Sequence, residues 1–178
     1  MDSAGNQIER IDVEDYPAIK NHLDSHWERI EKRYDQGDTP YNLRHCAYME
    51  DFDRQKIIFQ EMVQEPSFTF DNEGVFFCLD TARIIVGEKL KILLAIMNSK
   101  LFFYSVKKFY GGGGLGGSGV RMKHTFFENF PAPDFKTEEI KKIEELLENP
   151  KINDKKIEEI IQAYYNFTID EIRFIDLQ

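Results

Sequence analysis

The sequence predicts an α+β fold: a small mixed or antiparallel sheet with packed helices, followed by a C-terminal helical appendage. Three observations carry that expectation. Short β-branched and aromatic runs separated by turn residues fill 56–86. A dense apolar stripe at helical spacing follows over 88–109. Beyond residue 133 the composition turns to Glu- and Lys-rich amphipathic segments. The chain has 178 residues, 42% of them apolar and 13% aromatic, enough to build the core of one ordinary domain. With 31% charged residues and a mean hydropathy of -0.49, it has a globular composition and not that of a disordered chain.

Taken in order, residues 15–34 are expected to be one helix. Asp15 would be the N-cap, Pro17 falls in the first turn, and Ile19, Leu23, Trp27 and Ile30 lie on one face. Residues 35–40 read as a loop. Lys56–Met62, Pro66–Asp71, Val75–Leu79 and Ala82–Val86 are expected strands, with a hairpin at Asn72-Glu73-Gly74. The helix over 88–109 carries Leu90, Leu93, Leu94, Met97 and Leu101, with a break or bend at Asn98-Ser99. Gly111–Gly119 holds seven glycines in nine residues and is expected to be a mobile loop (Gly111, Gly112, Gly113, Gly114, Gly116, Gly117 and Gly119). Phe130-Pro131-Ala132-Pro133 marks a boundary. Helices are expected over 137–149 and 154–166, and a third begins at Thr168, where Thr-Ile-Asp-Glu matches a capping box closed by Glu171. These readings divide the chain into an N-terminal helical segment (1–40), a sheet-containing domain (41–133) and the helical appendage (134–178).

No apolar stretch approaches the ~18 residues that a membrane helix needs, so no membrane partner is expected. Residues 1–5 carry no basic segment followed by an apolar one, the mark of a secretory leader. Two cysteines, Cys46 and Cys78, do not staple a chain of this size, and a reducing cytoplasm is the expected location.

The net charge is -9, but it is unevenly spread. Residues 1–40 are net -5, 41–125 net +2 and 126–178 net -6. Between Glu88 and Glu128 there is no acid in 39 residues, while Lys89, Lys91, Lys100, Lys107, Lys108, Arg121, Lys123 and His124 all fall there. Such a stretch gives one region a positive field on an acidic molecule. Its structural alternative is a set of lysines that merely solvate a helix.

Several catalytic patterns are weighed and set aside. Pro133-Asp134 with Glu139-Ile140-Lys141 has the spelling of a metal-dependent nuclease. Glu139 and Lys141 would stand at a helix start, however, where their side chains diverge. His22 and His26 have chelating spacing, but no third ligand lies near in sequence. The glycine run spells Gly-x-Gly-x-x-Gly without the preceding strand and later acid of a dinucleotide site. No nucleophile triad is recognisable, so no catalytic residue, metal ligand or cofactor is expected in this chain. The remaining signal is a glycine loop flanked by Lys107 and Lys108 on one side and Arg121, Lys123 and His124 on the other. It suits phosphate, and Arg121 suits phosphate or guanine. Arg44 and His45 are weaker candidates beside the first strand.

Several ordered segments together resemble one family. Tyr41-Asn42-Leu43-Arg44-His45-Cys46-Ala47-Tyr48, Lys56–Met62, Pro66-Ser67-Phe68 and the helix end Leu93–Leu101 with its Asn-Ser-Lys are similar to the TaqI-like C-terminal specificity domain. So are Phe127-Glu128-Asn129-Phe130-Pro131-Ala132-Pro133 and the ending Ala163–Ile172. The likeness spans about residues 16–133 and recurs in the tail. It implies a target-recognition domain of a DNA adenine methyltransferase or fused restriction-modification enzyme, similar to the recognition domains of type I specificity subunits. The expected partners are then double-stranded DNA and the catalytic domain of the parent chain. The parent would use S-adenosylmethionine, and magnesium if it also cleaves. The Asn/Asp-Pro-Pro-Tyr/Phe motif of that catalytic domain does not occur in this sequence. Two rivals are a protein-interaction module that docks through the C-terminal helices and an independent nuclease.

Overall fold

The computed structural model describes residues 11–114, 116 and 119–177. The chain parts after Met49 into two compact units, each described by itself. The parting falls inside the segment expected to form the sheet-containing domain.

In the first unit a 3-10 turn, Val13–Asp15, is capped by Asp12, whose carboxylate accepts the Glu14 amide at 3.0 Å. Helix α1 (Pro17–Asp24) follows, with Tyr16 rather than Asp15 at the cap position, and α2 (Trp27–Ile30) comes after it. The single helix expected over 15–34 is therefore interrupted. The Ser25 hydroxyl donates to the His22 carbonyl at 2.6 Å, and His26 leaves helical backbone at φ -115°, ψ 17°. Serine inside a helix offers the backbone such a competing bond. The expected apolar face is not a buried one either: Ile19 and Trp27 are exposed, and Trp27 leans on Tyr41 at 5.4 Å.

The second unit is α+β. Strand β1 (Lys56–Gln60) is the centre of a three-stranded antiparallel sheet, with β3 (Thr69–Asp71) on one side and β4 (Ala82–Ile85) on the other. Its apolar residues explain the position, since Ile57 and Phe59 are buried in the core. The run expected to continue to Met62 breaks at Glu61. The Glu61 amide still donates to Thr81 at 3.0 Å, but its carbonyl accepts from Met122 at 2.7 Å. The chain thereby changes partner: β2 (Met62–Val63) pairs with β5 (Val120–Arg121) as a separate two-stranded sheet.

Val75–Leu79, expected as a strand, is a loop, and no hairpin forms at Asn72-Glu73-Gly74. The cause is Asp71. Its carboxylate accepts the amides of Gly74, Val75 and Phe76 at 3.0, 3.3 and 3.0 Å, taking donors that a ladder would need. Lys56 holds the other side of the arrangement. It is 0% exposed, its partner Asp71 2%, and the ammonium bonds both the carboxylate and the Phe52 carbonyl.

The helical stripe folds as α3 (Leu90–Met97) and α4 (Lys100–Lys108), broken at Asn98-Ser99 as its sequence predicts. Ser99 caps α4 by accepting the Phe102 amide at 3.1 Å. Asn98 clamps Phe68 through both its amide and its carbonyl, at 3.0 and 2.9 Å, in the manner of a strand pair. After the short α5 (His124–Phe127) come α6 (Thr137–Leu147), α7 (Pro150–Tyr164) and α8 (Ile169–Asp176), the last closed by the Thr168–Glu171 capping box. The helices expected as a C-terminal appendage pack on the core. Ile143, Ile157 and Ile161 are buried in the same core as Ile57, Phe102 and Val106. An apolar stripe of Ile and Leu along an acidic helix must be covered by something, and here α3 covers it. Among the described residues no helix is long and apolar enough to cross a membrane.

Candidate nucleic-acid interface

Glu61 organises the positive surface. Because the chain steps there from one sheet to the other, its side chain lies between β4 and β5. Arg121 Nε donates to one carboxylate oxygen at 2.7 Å, and Arg83 Nη2 to the other at 2.9 Å. The bond from Arg121 outweighs the partial burial of Glu61 and, with the charges of Arg121, Arg83 and Lys123, holds its carboxyl below the usual range. Two guanidiniums thus share one carboxylate, leaving one positive charge in excess. Arg121 and Arg83 are half exposed, at 52% and 48% of the side chain. Lys123 and His124 follow directly at the start of α5, both exposed.

The glycine run joins this cluster to the end of α4. The Gly112 amide donates to Val106 at 2.9 Å, and its carbonyl accepts the Arg121 amide at 2.6 Å. Expected as mobile throughout, the loop is instead anchored at Gly112, which is buried. A Cβ there would lie 2.6 Å from the Val106 side chain and 2.8 Å from the Arg121 carbonyl. Gly112→Ala is therefore expected to lower the thermal unfolding midpoint by about 5 °C. An unchanged midpoint in a calorimetric scan would show that this contact yields freely. Gly111, Gly113, Gly114 and Gly116 are exposed, and Gly119 is half-buried just before β5. Gly117 lies outside the described residues.

Lys107 and Lys108 occupy the last turn of α4, where their charge complements the helix carbonyls. One turn and two turns earlier on the same face stand Tyr104, Phe103 and Lys100. Together they line a cavity of about 220 Å³, with Glu65 and Pro66 also in its wall. Lys100 is engaged elsewhere as well: its ammonium donates to the Asp176 carbonyl at 3.0 Å.

Sequence-adjacent candidates do not all join. Lys89 and Lys91 sit at the start of α3 and take no part in the Glu61 cluster. Arg44 and His45 belong to the first unit, both exposed, with Arg44 3.7 Å from Asp35. Glu139, half of the nuclease-like spelling, is spent on the α6 terminus, accepting the Lys136 amide at 3.0 Å. His22 and His26 meet edge to face at 5.1 Å. No group of three metal-ligating side chains occurs among the described residues.

Two members of the cluster escaped the sequence reading, Arg83 and Glu61. Both lie outside the acid-free window, and only the pairing of Phe59 with Arg83 brings them to one place. The available signal was Arg83 itself, a lone cation in the otherwise apolar run Ala82–Ile85. The chain matches no protein-family model.

Proposed function

We propose that this chain is a DNA target-recognition domain, non-catalytic by itself, that reads a duplex for a catalytic domain of its parent enzyme, an adenine methyltransferase with or without fused restriction activity. The observation that favours it is the convergence of Arg83 and Arg121 on Glu61, with exposed Lys123 two residues along from Arg121, coupled through Gly112 to the helix end bearing Lys107 and Lys108. The TaqI-like resemblance favours the same face. Arg121 is half exposed and held through Nε, and its terminal nitrogens suit a phosphate or the O6/N7 edge of guanine. Lys107, Lys108 and Lys123 neutralise phosphates and set position; sequence comes from base-edge contacts. The parent's chemistry, with S-adenosylmethionine as methyl donor, belongs to the catalytic domain.

The test is fluorescence anisotropy of the whole chain on a duplex pool with a randomised centre. Affinity is expected to fall steeply with salt, with a log–log slope of about -4.5 for five cations, at about 0.9 counterion released per phosphate. Binding that is flat with salt, or no binding at all, would dispose of the proposal.

Glu61→Gln gives a sharper expectation. Removing the anion leaves Arg83 and Arg121 uncompensated, so affinity for random duplex should rise and the slope should steepen by about one. Weaker binding at unchanged slope would mean that Glu61 matters for aiming the guanidiniums and not for their charge.

A further inference from the structure

The least explained surface of the second unit is the run 75–79. Val75, Phe76, Phe77 and Leu79 are 58% to 88% exposed, four large apolar side chains in five residues. Scattered exposed apolar residues are ordinary, but a contiguous run marks a contact surface.

This run is presented rigidly. The Asp71 carboxylate holds three successive amides at its root, and buried Lys56 holds Asp71. Gly74 is packed so closely that a Cβ would meet the Asp53 carbonyl at 2.4 Å. The Phe77 ring is stacked on Phe52, with centroids 5.0 Å apart and planes 21° apart. Phe76 and Leu79 are left as the projecting pair. A loop already ordered loses little further freedom when it binds.

Glu73 and Asp80 bracket the run, and the cations that bear on its partner lie just beyond its far end. At its far end the Asp80 carbonyl accepts Arg83 Nη1 at 2.8 Å, and the other arm of that guanidinium reaches Glu61 at 2.9 Å, where Arg121 also binds. One side chain therefore ties the apolar run to the cation cluster. A partner that satisfies both needs negative charge beside flat apolar faces. Duplex DNA offers that combination, with phosphates outside and base faces exposed when a step unstacks.

We infer that Phe76 and Leu79 form a wedge that enters the base stack of the DNA held by Arg83, Arg121 and Lys123. The wedge rests on the DNA-recognition reading and adds to it a mode of contact, local unstacking and kinking of the target. A step that parts easily, pyrimidine followed by purine, is then favoured at the insertion point.

The experiment uses the whole chain and a duplex enriched from the randomised pool. 2-Aminopurine is placed at each position of the enriched site in turn. The wild-type chain is expected to raise fluorescence at one step. Phe76→Ser with Leu79→Ser should abolish that rise and weaken binding about tenfold or more, while leaving the salt slope and the thermal midpoint unchanged. Binding by the wild type with no fluorescence rise, or a loop variant that binds as tightly, overturns the wedge and spares the DNA reading. No binding by the wild type overturns both. A dimer in sedimentation that dissociates in the loop variant would assign the run to a second copy of the chain, and would also overturn the wedge.

Discussion

Asp71→Asn should lower the thermal midpoint by on the order of 10 °C, the largest stability loss expected from any single polar change in the second unit. The carboxylate has two roles that usually belong to different groups. It is the counterion of buried Lys56, and it is the acceptor for the Gly74, Val75 and Phe76 amides. An asparagine keeps an acceptor but leaves the ammonium buried without its anion, the costly half of a broken pair. Lys56→Met separates the two roles. It also destabilises, but the carboxylate still gathers the three amides, so the 75–79 loop should keep its place, as amide exchange at Val75 and Phe76 would report. Acid provides an independent check. Burial raises the Asp71 carboxyl, but Lys56 and the amides of Phe76 and Val75 outweigh it and hold the group at about 2 against an ordinary value of 3.8. A carboxyl depressed in the folded state stabilises fully above the unfolded value, and that stabilisation is lost as pH falls through the folded one. The wild-type midpoint should therefore drop between about pH 4 and pH 2, with Asp71→Asn lacking that component. Identical acid profiles for the two proteins would remove Asp71 from the account.

This pair also explains where sequence reading fails. Helical periodicity reports a buried stripe on a long element, and it found α3, the Asn98-Ser99 break, α6, α7 and the Thr168 cap. Val75–Leu79 has the composition of a strand, yet its amides are diverted by a carboxylate that ordinarily marks only a turn. Nothing local distinguishes Asp71 from a solvated loop acid, because its importance comes from Lys56, fifteen residues away and paired with it in the register of β1 and β3. The helix expected over 15–34 failed for a shorter-range reason, since one serine hydroxyl competes for a helix carbonyl. The candidate interface was half legible. The acid-free window drew attention to Lys107, Lys108, Arg121 and Lys123, and the bonds of Gly112 to Val106 and Arg121 draw the two ends of the glycine run together. It also gathered Lys89 and Lys91, which lie outside the cluster, and missed Arg83, which the strand pairing supplies. Charge counted along a chain is a weak guide to charge gathered in space when antiparallel strands fold distant residues together.

The strongest functional expectation follows from that difference. Arg121→Ala with Lys123→Ala should weaken binding to duplex DNA by about a hundredfold at low salt and make the log–log salt slope shallower by about two. Lys89→Ala with Lys91→Ala removes the same formal charge from the same acid-free window and should change binding by less than about threefold, because those lysines take no part in the Glu61 cluster. Comparing the two pairs separates a built interface from a general electrostatic attraction. If both pairs weaken binding alike, DNA is attracted by the diffuse positive field of the whole acid-free window and the convergence on Glu61 has no special part. Lys107→Ala with Lys108→Ala should fall between them. Their helix end is coupled to Arg121 through Gly112, but they stand apart from the guanidinium pair. Folding does not confound the comparison, since Arg121, Lys91 and Lys107 are half exposed and Lys123, Lys89 and Lys108 are exposed, and each variant should unfold within about 2 °C of the wild type. Arg121→Lys is the last discriminant. It retains charge but loses the planar fork, so the salt slope should hold while preference for the enriched site over random duplex declines. Retained preference would make Arg121 a phosphate contact and move base reading to another part of the surface.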